Sequence, residues 1–169
     1  CDAIELDIHL SADGRVIVCH DPTLDRTTNG TGAIAELTAD EIRRFDAGSW
    51  FGPQYAGERV PLLDEVLDLV PPSIGINVEI KSHDNPRTVA AVVDLLVRRE
   101  RLDSVFFSSF AHECMAELKR YAPNAKIGLL YMESTFDYEA FFERAGVEGY
   151  ALHPYFEFVD ADYVAAAGK

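Results

Sequence analysis

Short apolar runs alternate with longer stretches of helical periodicity along most of the chain. The apolar runs predict six strands, at residues 3–8, 16–20, 75–80, 104–108, 126–130 and 149–153. Apolar positions at helical spacing follow the later strands and predict helices near residues 62–70, 85–96, 115–121, 137–146 and from 160 onward. Repeated strand–helix units favour a parallel α/β sheet covered by helices, either an open doubly wound sheet or a closed (β/α)8 barrel.

Residues 21–60 interrupt this alternation. They are rich in Thr, Gly and Asp, and they contain one short helix signal, the capping-box pair of Thr38 and Glu41. Because this segment is too long to be a simple connection, we interpret it as an insertion within a single domain that spans residues 1–169. The Asp13-Gly14 pair between the first two strands predicts a tight hairpin turn.

Acidic residues occur inside two of the predicted strands. Glu5 and Asp7 share one face of the first strand because side chains alternate along a strand, and Glu79 shares a face with Lys81 in the third. Charged residues that reach one place from several strands suit the carboxyl-terminal mouth of a barrel. An open sheet would more often use a Gly-rich phosphate loop, and the sequence has none. We therefore favour a (β/α)8 TIM barrel, of which about six strands are present.

The three acids predict a cation site. Carboxylates that converge in a partly buried place repel one another unless a counter-charge is present. Mg²⁺ or Ca²⁺ would supply that charge, because both ions bind carboxylate oxygens. The alternative is that the acids form structural ion pairs with Lys81 or Arg15.

Histidines add candidate proton-transfer groups. His20 follows the apolar part of the second strand and could exchange protons near neutral pH, although a hydrogen-bonded loop histidine fits the same pattern. His153 ends the sixth strand and could line the mouth. His83 suits a solvated loop better than the site, and the direction of His9 stays open.

Composition and charge narrow the class of partner. The formal charge of −14 and the lack of a basic stripe argue against nucleic-acid binding. No apolar run approaches the roughly 20 residues of a membrane span, so we expect no stable membrane insertion. The three cysteines show no metal-type spacing, which indicates free thiols and favours the cytoplasm.

The motifs, taken in order, resemble the glycerophosphodiester phosphodiesterase family. The Glu-x-Asp motif lies within residues 3–14, a His-Asp-Pro-Thr motif within residues 18–32, and Val-Glu-Ile-Lys at residues 78–81. The likeness continues through residues 50–51, 60–67 and 108–110. No single piece is specific, but the ordered combination is, and it covers nearly the whole chain.

The resemblance implies a (β/α)8 barrel that hydrolyses a small glycerophosphodiester to glycerol 3-phosphate and an alcohol. By motif match, Glu5, Asp7 and Glu79 would hold one divalent cation, Mg²⁺ or Ca²⁺. His20 would be one of two acid/base catalysts, and Lys81 would face the phosphate, with His153 as a further substrate-binding candidate. Residues 21–60 match the insertion that helps to cover the substrate in this family.

The sequence also departs from the family pattern. The family's second acid/base histidine belongs to a His-Arg-Gly motif on a strand expected upstream of Cys1, and that motif is absent from the chain, as is a final Trp-Thr-x-Asn-like strand. We therefore expect a partial barrel that is inactive and only marginally stable as it stands.

Three other functions remain open. They are a related barrel phosphodiesterase that acts on lysophospholipids or phosphoinositides, an inactive phosphodiester-binding barrel, and a glycosidase that uses Glu5 and Glu79 as an acid–base pair. The glycosidase is the least favoured, because it leaves His20 and Lys81 without a role.

Overall fold

The computed structural model describes residues 1–81, 87–132 and 138–167. Strands β1 to β6 span Ala3–Leu10, Val16–Val18, Gly75–Ile80, Val105–Ser109, Lys126–Tyr131 and Ala151–Pro154. Helices α1 to α6 span Ala39–Ile42, Leu63–Leu69, Thr88–Arg98, His112–Tyr121, Tyr138–Ala145 and Ala161–Ala167. Short 3-10 helices lie at Ile34–Glu36, Pro53–Tyr55, Leu102–Ser104 and Phe156–Phe158.

The six strands form one sheet in the order β2-β1-β3-β4-β5-β6. All neighbours are parallel except β2, which pairs antiparallel with the end of β1 as the predicted hairpin requires. Gly14 makes the hairpin turn with a positive φ of 78°, a conformation that glycine adopts without strain. Within the described residues β2 and β6 are the two edges of the sheet, and no pairing closes it into a barrel.

The main core lies between the sheet and its helices. Ile8, Val78 and Phe107, on β1, β3 and β4, are completely buried and belong to one apolar cluster with Val92 of α3 and Met115 of α4. Val78 and Phe107 are direct neighbours in the sheet register. Because side chains alternate along each strand, burying this face turns the acidic residues toward the opposite face.

Residues 21–60 have a small apolar core of their own. Leu24, Ile34 and Ile42 are fully buried and pack with Ile17 of β2, which attaches the insertion to the edge of the sheet. The predicted capping box is present, since the Thr38 hydroxyl accepts a hydrogen bond from the amide of the third helical residue and the reciprocal bond also forms.

The second strand is shorter than predicted. It ends at Val18 rather than at residue 20. The amide of Cys19 still donates to the carbonyl of Asp7 at 3.0 Å, in register with the antiparallel pairing of β1 and β2, and the chain then enters a loop. His20 therefore lies in the loop beyond the strand and not at its last position.

Other boundaries differ by a few residues, as is usual for element ends. The fourth helix begins at His112 rather than near 115, and β6 begins at Ala151 rather than at 149. Asp160 caps the last helix as expected, because its Oδ1 accepts a hydrogen bond from the amide of Tyr163 at 2.7 Å. The predicted helix starts at residues 85–86 and 137, and the loop histidine His83, lie outside the described residues.

Candidate active site

Three carboxylates meet on the face of the sheet opposite the main core. Glu5 and Asp7 extend from β1, and Glu79 extends from β3. One carboxylate oxygen of each lies within 4.8 Å of the others. The parallel register places Asp7 directly beside Glu79, which brings together two acids that are 72 residues apart in the chain.

Lys81 contacts this cluster of acids. Its Nζ lies 2.5 Å from Oε1 of Glu79 and 3.3 Å from Oδ1 of Asp7, so the ion pairing with Lys81 that the sequence left open is present, whereas Arg15 pairs with Asp64. One ammonium against three carboxylates leaves two negative charges in excess when all four groups are ionised. That excess equals the charge of one divalent cation.

The pKa shifts reflect the crowding of negative charge. Burial raises the pKa of Glu5 most, followed by the charges of Asp7 and Glu79, while Lys81 and His20 oppose the rise. Burial alone would lower the pKa of Lys81, but its hydrogen bond to Glu79 and the charges of Glu79 and Asp7 outweigh burial and raise it.

The residues fit a hard cation. Glu79 is buried, and apart from the Lys81 ion pair its Oε1 has no hydrogen-bond partner within the part of the chain that the structure describes. A buried carboxylate needs positive charge close to it, and the Lys81 ammonium supplies one such charge against the three carboxylates of the cluster. Three carboxylates at this spacing are ligands that Mg²⁺ and Ca²⁺ prefer.

His20 stands in the loop after β2, with its side chain 62% exposed. Its Nδ1 lies 2.8 Å from Oδ1 of Asp21, and Asp21 in turn accepts two hydrogen bonds from Arg26. His20 is close enough to Glu5 for its charge to bear on that carboxyl group. His20 is therefore near enough to the acidic cluster to act on it electrostatically, which the sequence pattern alone did not require.

Sequence reasoning left His9 unassigned. His9 is buried, and its Nε2 lies 3.1 Å from the carbonyl oxygen of His20. Because a carbonyl only accepts, His9 Nε2 is the donor, and the bond pins the backbone of His20. The signal that could have found His9 is its alternation with Glu5 and Asp7 along one strand.

Asn77 and Ser108 form a second polar pair that sequence reasoning missed. They lie opposite Glu5 and Glu79, respectively, in the sheet register. The buried Ser108 hydroxyl donates to Oδ1 of Asn77 at 3.0 Å. Asn77 shares the strand parity of Glu79, which is the signal that could have marked it.

His153 lies on the same face of the sheet as the acids, but three strands away from β3. Its ring covers Gly128, where an added Cβ would stand 2.7 Å from Nε2, and meets Phe106 edge-on at a centroid distance of 6.3 Å. Burial lowers the pKa of His153. Within the described residues, His153 therefore packs against β4 and β5 rather than against the acidic cluster.

Exposed aromatic rings form a small group in the insertion. Trp50 contacts Phe51 at a centroid distance of 5.7 Å, and Phe51 contacts Tyr55 at 5.3 Å. The three rings are between 42% and 69% exposed. Because the rings pack directly on each other, they enclose no space for a ligand between them.

Residues 1–164 match the family model described as the glycerophosphoryl diester phosphodiesterase family. The chain belongs to the glycerophosphoryl diester phosphodiesterase family. A relative from Caldanaerobacter subterraneus, named glycerophosphodiester phosphodiesterase, is 39% identical over 158 residues. That alignment covers 92% of this chain and 64% of the relative, so the chain spans slightly less than two thirds of that protein's length.

Solved structures of the same family share the fold. A phosphodiesterase from Oleispira antarctica, solved in complex with the product sn-glycerol-3-phosphate, has a TM-score of 0.87 at 30% identity. The match covers 98% of this chain and 70% of the Oleispira chain. A glycerophosphodiester phosphodiesterase from Thermotoga maritima has a TM-score of 0.74 at 28% identity, with 98% and 66% covered. The predicted fold class is confirmed, because the six-stranded sheet is part of the (β/α)8 barrel fold of these neighbours. None of the helices in the described ranges has the length and apolar character of a membrane span.

Proposed function

We propose that this chain carries the cation-binding part of an enzyme that hydrolyses glycerophosphodiesters to glycerol 3-phosphate and an alcohol. The observation that supports the proposal is the cluster of Glu5, Asp7 and Glu79 with Lys81 on one face of the sheet, in a chain that belongs to this family. The Oleispira neighbour holds sn-glycerol-3-phosphate, which is the product that the reaction would release.

Glu5, Asp7 and Glu79 would hold one divalent cation, Mg²⁺ or Ca²⁺. When bound, the cation would neutralise phosphate oxygens as negative charge builds on them. Lys81 would place its ammonium toward the same phosphate, because its present partners would share their charge with the cation. His153, half-buried on the same face, would contribute a largely neutral imidazole to the wall of the site.

The proposed reaction has two steps, formation of a cyclic phosphate and its hydrolysis. The glycerol 2-hydroxyl loses its proton and attacks phosphorus, and the bond from phosphorus to the alcohol oxygen breaks as that oxygen gains a proton. Water then opens the cyclic phosphate to give glycerol 3-phosphate. We assign one of the two proton transfers to His20, whose Nδ1 is occupied by Asp21 and whose Nε2 would exchange the proton.

We extend the proposal to the kind of substrate and to the cellular compartment of the enzyme. The substrate is a small molecule, and the excess of acidic residues in the sequence disfavours a polyanionic partner. The three cysteines are free thiols, which supports a reducing compartment such as the cytoplasm.

The test follows glycerol 3-phosphate release from glycerophosphocholine, using the natural protein that contains these residues at its full natural length. Release is measured with Mg²⁺, with Ca²⁺ and with a chelator. Glu79→Gln removes one proposed ligand at constant size, and Glu148→Gln, an exposed acid outside the cluster, is the matched control.

We expect release that needs the cation, that falls at least about 100-fold in Glu79→Gln and that is unchanged in Glu148→Gln. No release from a folded protein under either cation would contradict the proposal and favour a phosphodiester-binding barrel. Cleavage of lysophosphatidylcholine to choline and lysophosphatidic acid, without cleavage of glycerophosphocholine, would replace the substrate class.

A further inference from the structure

His20 is held by a chain of hydrogen bonds that ends at Arg26. Nδ1 of His20 lies 2.8 Å from Oδ1 of Asp21. Arg26 donates hydrogen bonds to both oxygens of the same carboxylate, from Nε to Oδ2 at 2.6 Å and from Nη2 to Oδ1 at 2.8 Å. Such a two-point contact fixes the plane of the carboxylate as well as its position, which a single ammonium cannot do.

The hydrogen bonds from Arg26 and His20 to Asp21 determine which ring nitrogen of His20 carries the proton. Hydrogen bonds from Arg26 first, and from His20 second, hold the pKa of Asp21 well below its usual range. An ionised carboxylate only accepts hydrogen bonds, so Nδ1 of His20 must be the donor. In the neutral imidazole, Nε2 is then the unprotonated nitrogen that can take up a proton.

The insertion holds Arg26 in place. Leu24, two residues before Arg26, is fully buried in the insertion's own core. Its carbonyl accepts hydrogen bonds from the Thr28 amide at 3.1 Å and the Thr28 hydroxyl at 2.7 Å, which closes the turn that carries Arg26. On the other side, His9 holds the backbone of His20. His20 is thus held at its backbone by His9 of β1 and at its ring by Asp21 of the insertion.

We propose that Arg26 is a positioning residue for His20: by clamping Asp21, it keeps the imidazole in the Nδ1–H tautomer with Nε2 directed away from Asp21 for proton exchange. This inference rests on the proposed function, in which His20 transfers a proton to or from the substrate. It goes beyond that function by giving residues 21–60 a part in catalysis through Arg26.

The test uses Arg26→Gln and Arg26→Lys in the full-length natural protein. Arg26→Gln removes both the positive charge and the two-point contact with Asp21, whereas Arg26→Lys keeps the charge and loses the two-point contact. The matched control is Arg15→Gln, because Arg15 is also an exposed arginine paired with an aspartate, Asp64, but with a single contact at 3.4 Å. Circular dichroism checks that each variant is folded.

The first readout is the tautomer of His20, measured by long-range ¹H–¹⁵N correlation of the imidazole nitrogens at a pH where the ring is neutral. We expect the Nδ1–H form in the wild type and in Arg15→Gln, and a clear shift toward the Nε2–H form in Arg26→Gln. Arg26→Lys should lie between them. An unchanged tautomer in Arg26→Gln would overturn the inference whatever the activity.

The second readout separates kcat from KM. We expect kcat to fall about 10- to 100-fold in Arg26→Gln with KM changed less than about threefold, because orientation of a catalytic group is lost and substrate contacts are kept. A shifted tautomer with unchanged kcat would also overturn the inference. Failure of the proposed function has a different signature, namely no glycerol 3-phosphate release from the wild type under either cation, and failure of the role of His20 would appear as full cation-dependent activity in His20→Gln.

Discussion

Lys81 offers the sharpest test of the charge balance in the acidic cluster. Replacing it with methionine keeps an unbranched side chain of similar length but removes the ammonium. Glu79 and Asp7, whose side chains are only 11% and 17% exposed, then face each other and Glu5 without a counter-charge. We expect Lys81→Met to destabilise the cation-free protein strongly and a divalent cation to restore most of the loss.

The contact distances set the magnitude. At an effective dielectric constant of about 20, the 2.5 Å contact with Glu79 corresponds to a gross attraction of about 7 kcal/mol and the 3.3 Å contact with Asp7 to about 5 kcal/mol. The cost of removing these groups from water offsets most of this, so losing one partner of a buried pair costs about 3–5 kcal/mol. A cation at about 1,000 times its dissociation constant returns about 4 kcal/mol.

Urea unfolding of the full-length protein in chelator and in saturating Mg²⁺ or Ca²⁺ measures both quantities. Lys119→Met is the control, because Lys119 makes an exposed hydrogen bond to the carbonyl of Pro123 outside the cluster. A cost below about 1 kcal/mol for Lys81→Met in chelator would contradict the proposed charge balance. So would a cation that stabilises this variant no more than it stabilises the control.

Three further predictions concern the packing of the fold and the pH dependence of its stability. Gly48→Ala would place a Cβ 1.8 Å from the carbonyl oxygen of Tyr55, so we expect a loss above about 3 kcal/mol, whereas Gly57→Ala, with φ of 88° and open space around it, should cost only about 1–2 kcal/mol in the same urea titration. Phe107→Ala, which empties a fully buried site, should cost about 3–5 kcal/mol, and a loss under 1 kcal/mol would contradict the core described above. Because burial lowers the pKa of His153, the unfolded chain binds more protons than the folded one below about pH 6.5. The free energy of unfolding should therefore fall from pH 7.5 to pH 5, and it should fall less in His153→Gln. Equal pH dependence in the two proteins would argue against a lowered pKa of His153.

Alternation along single strands made part of the site predictable from sequence. Glu5 and Asp7 had to share a face, as did Glu79 and Lys81, whatever the sheet looked like. The same rule applied to His9 and Asn77 would have placed them on the site's face. The roles assigned to these residues stay predictions until the kinetic and binding experiments are done.

His20 illustrates where sequence reasoning stopped. The apolar run before it predicted a strand that continued to residue 20, but the strand ends at Val18. The Cys19 amide makes one more bond in register, to the carbonyl of Asp7, and His20 then lies in the loop. The length of an edge strand depends on contacts with other segments, which a local apolar pattern does not specify. The clamp from Arg26 through Asp21 depends on the loop conformation that follows.

By itself, the sequence determined the number of strands and their succession along the chain, the shared face of the acids within each strand and the hairpin at Gly14, because these follow from local periodicity and turn chemistry. Only the tertiary structure decided that Asp7 lies beside Glu79, that Lys81 bridges them, and that the insertion attaches to β2 through Ile17. The physical reason is that register and charge pairing are set by contacts between segments, and a local pattern does not specify which distant segment supplies the partner.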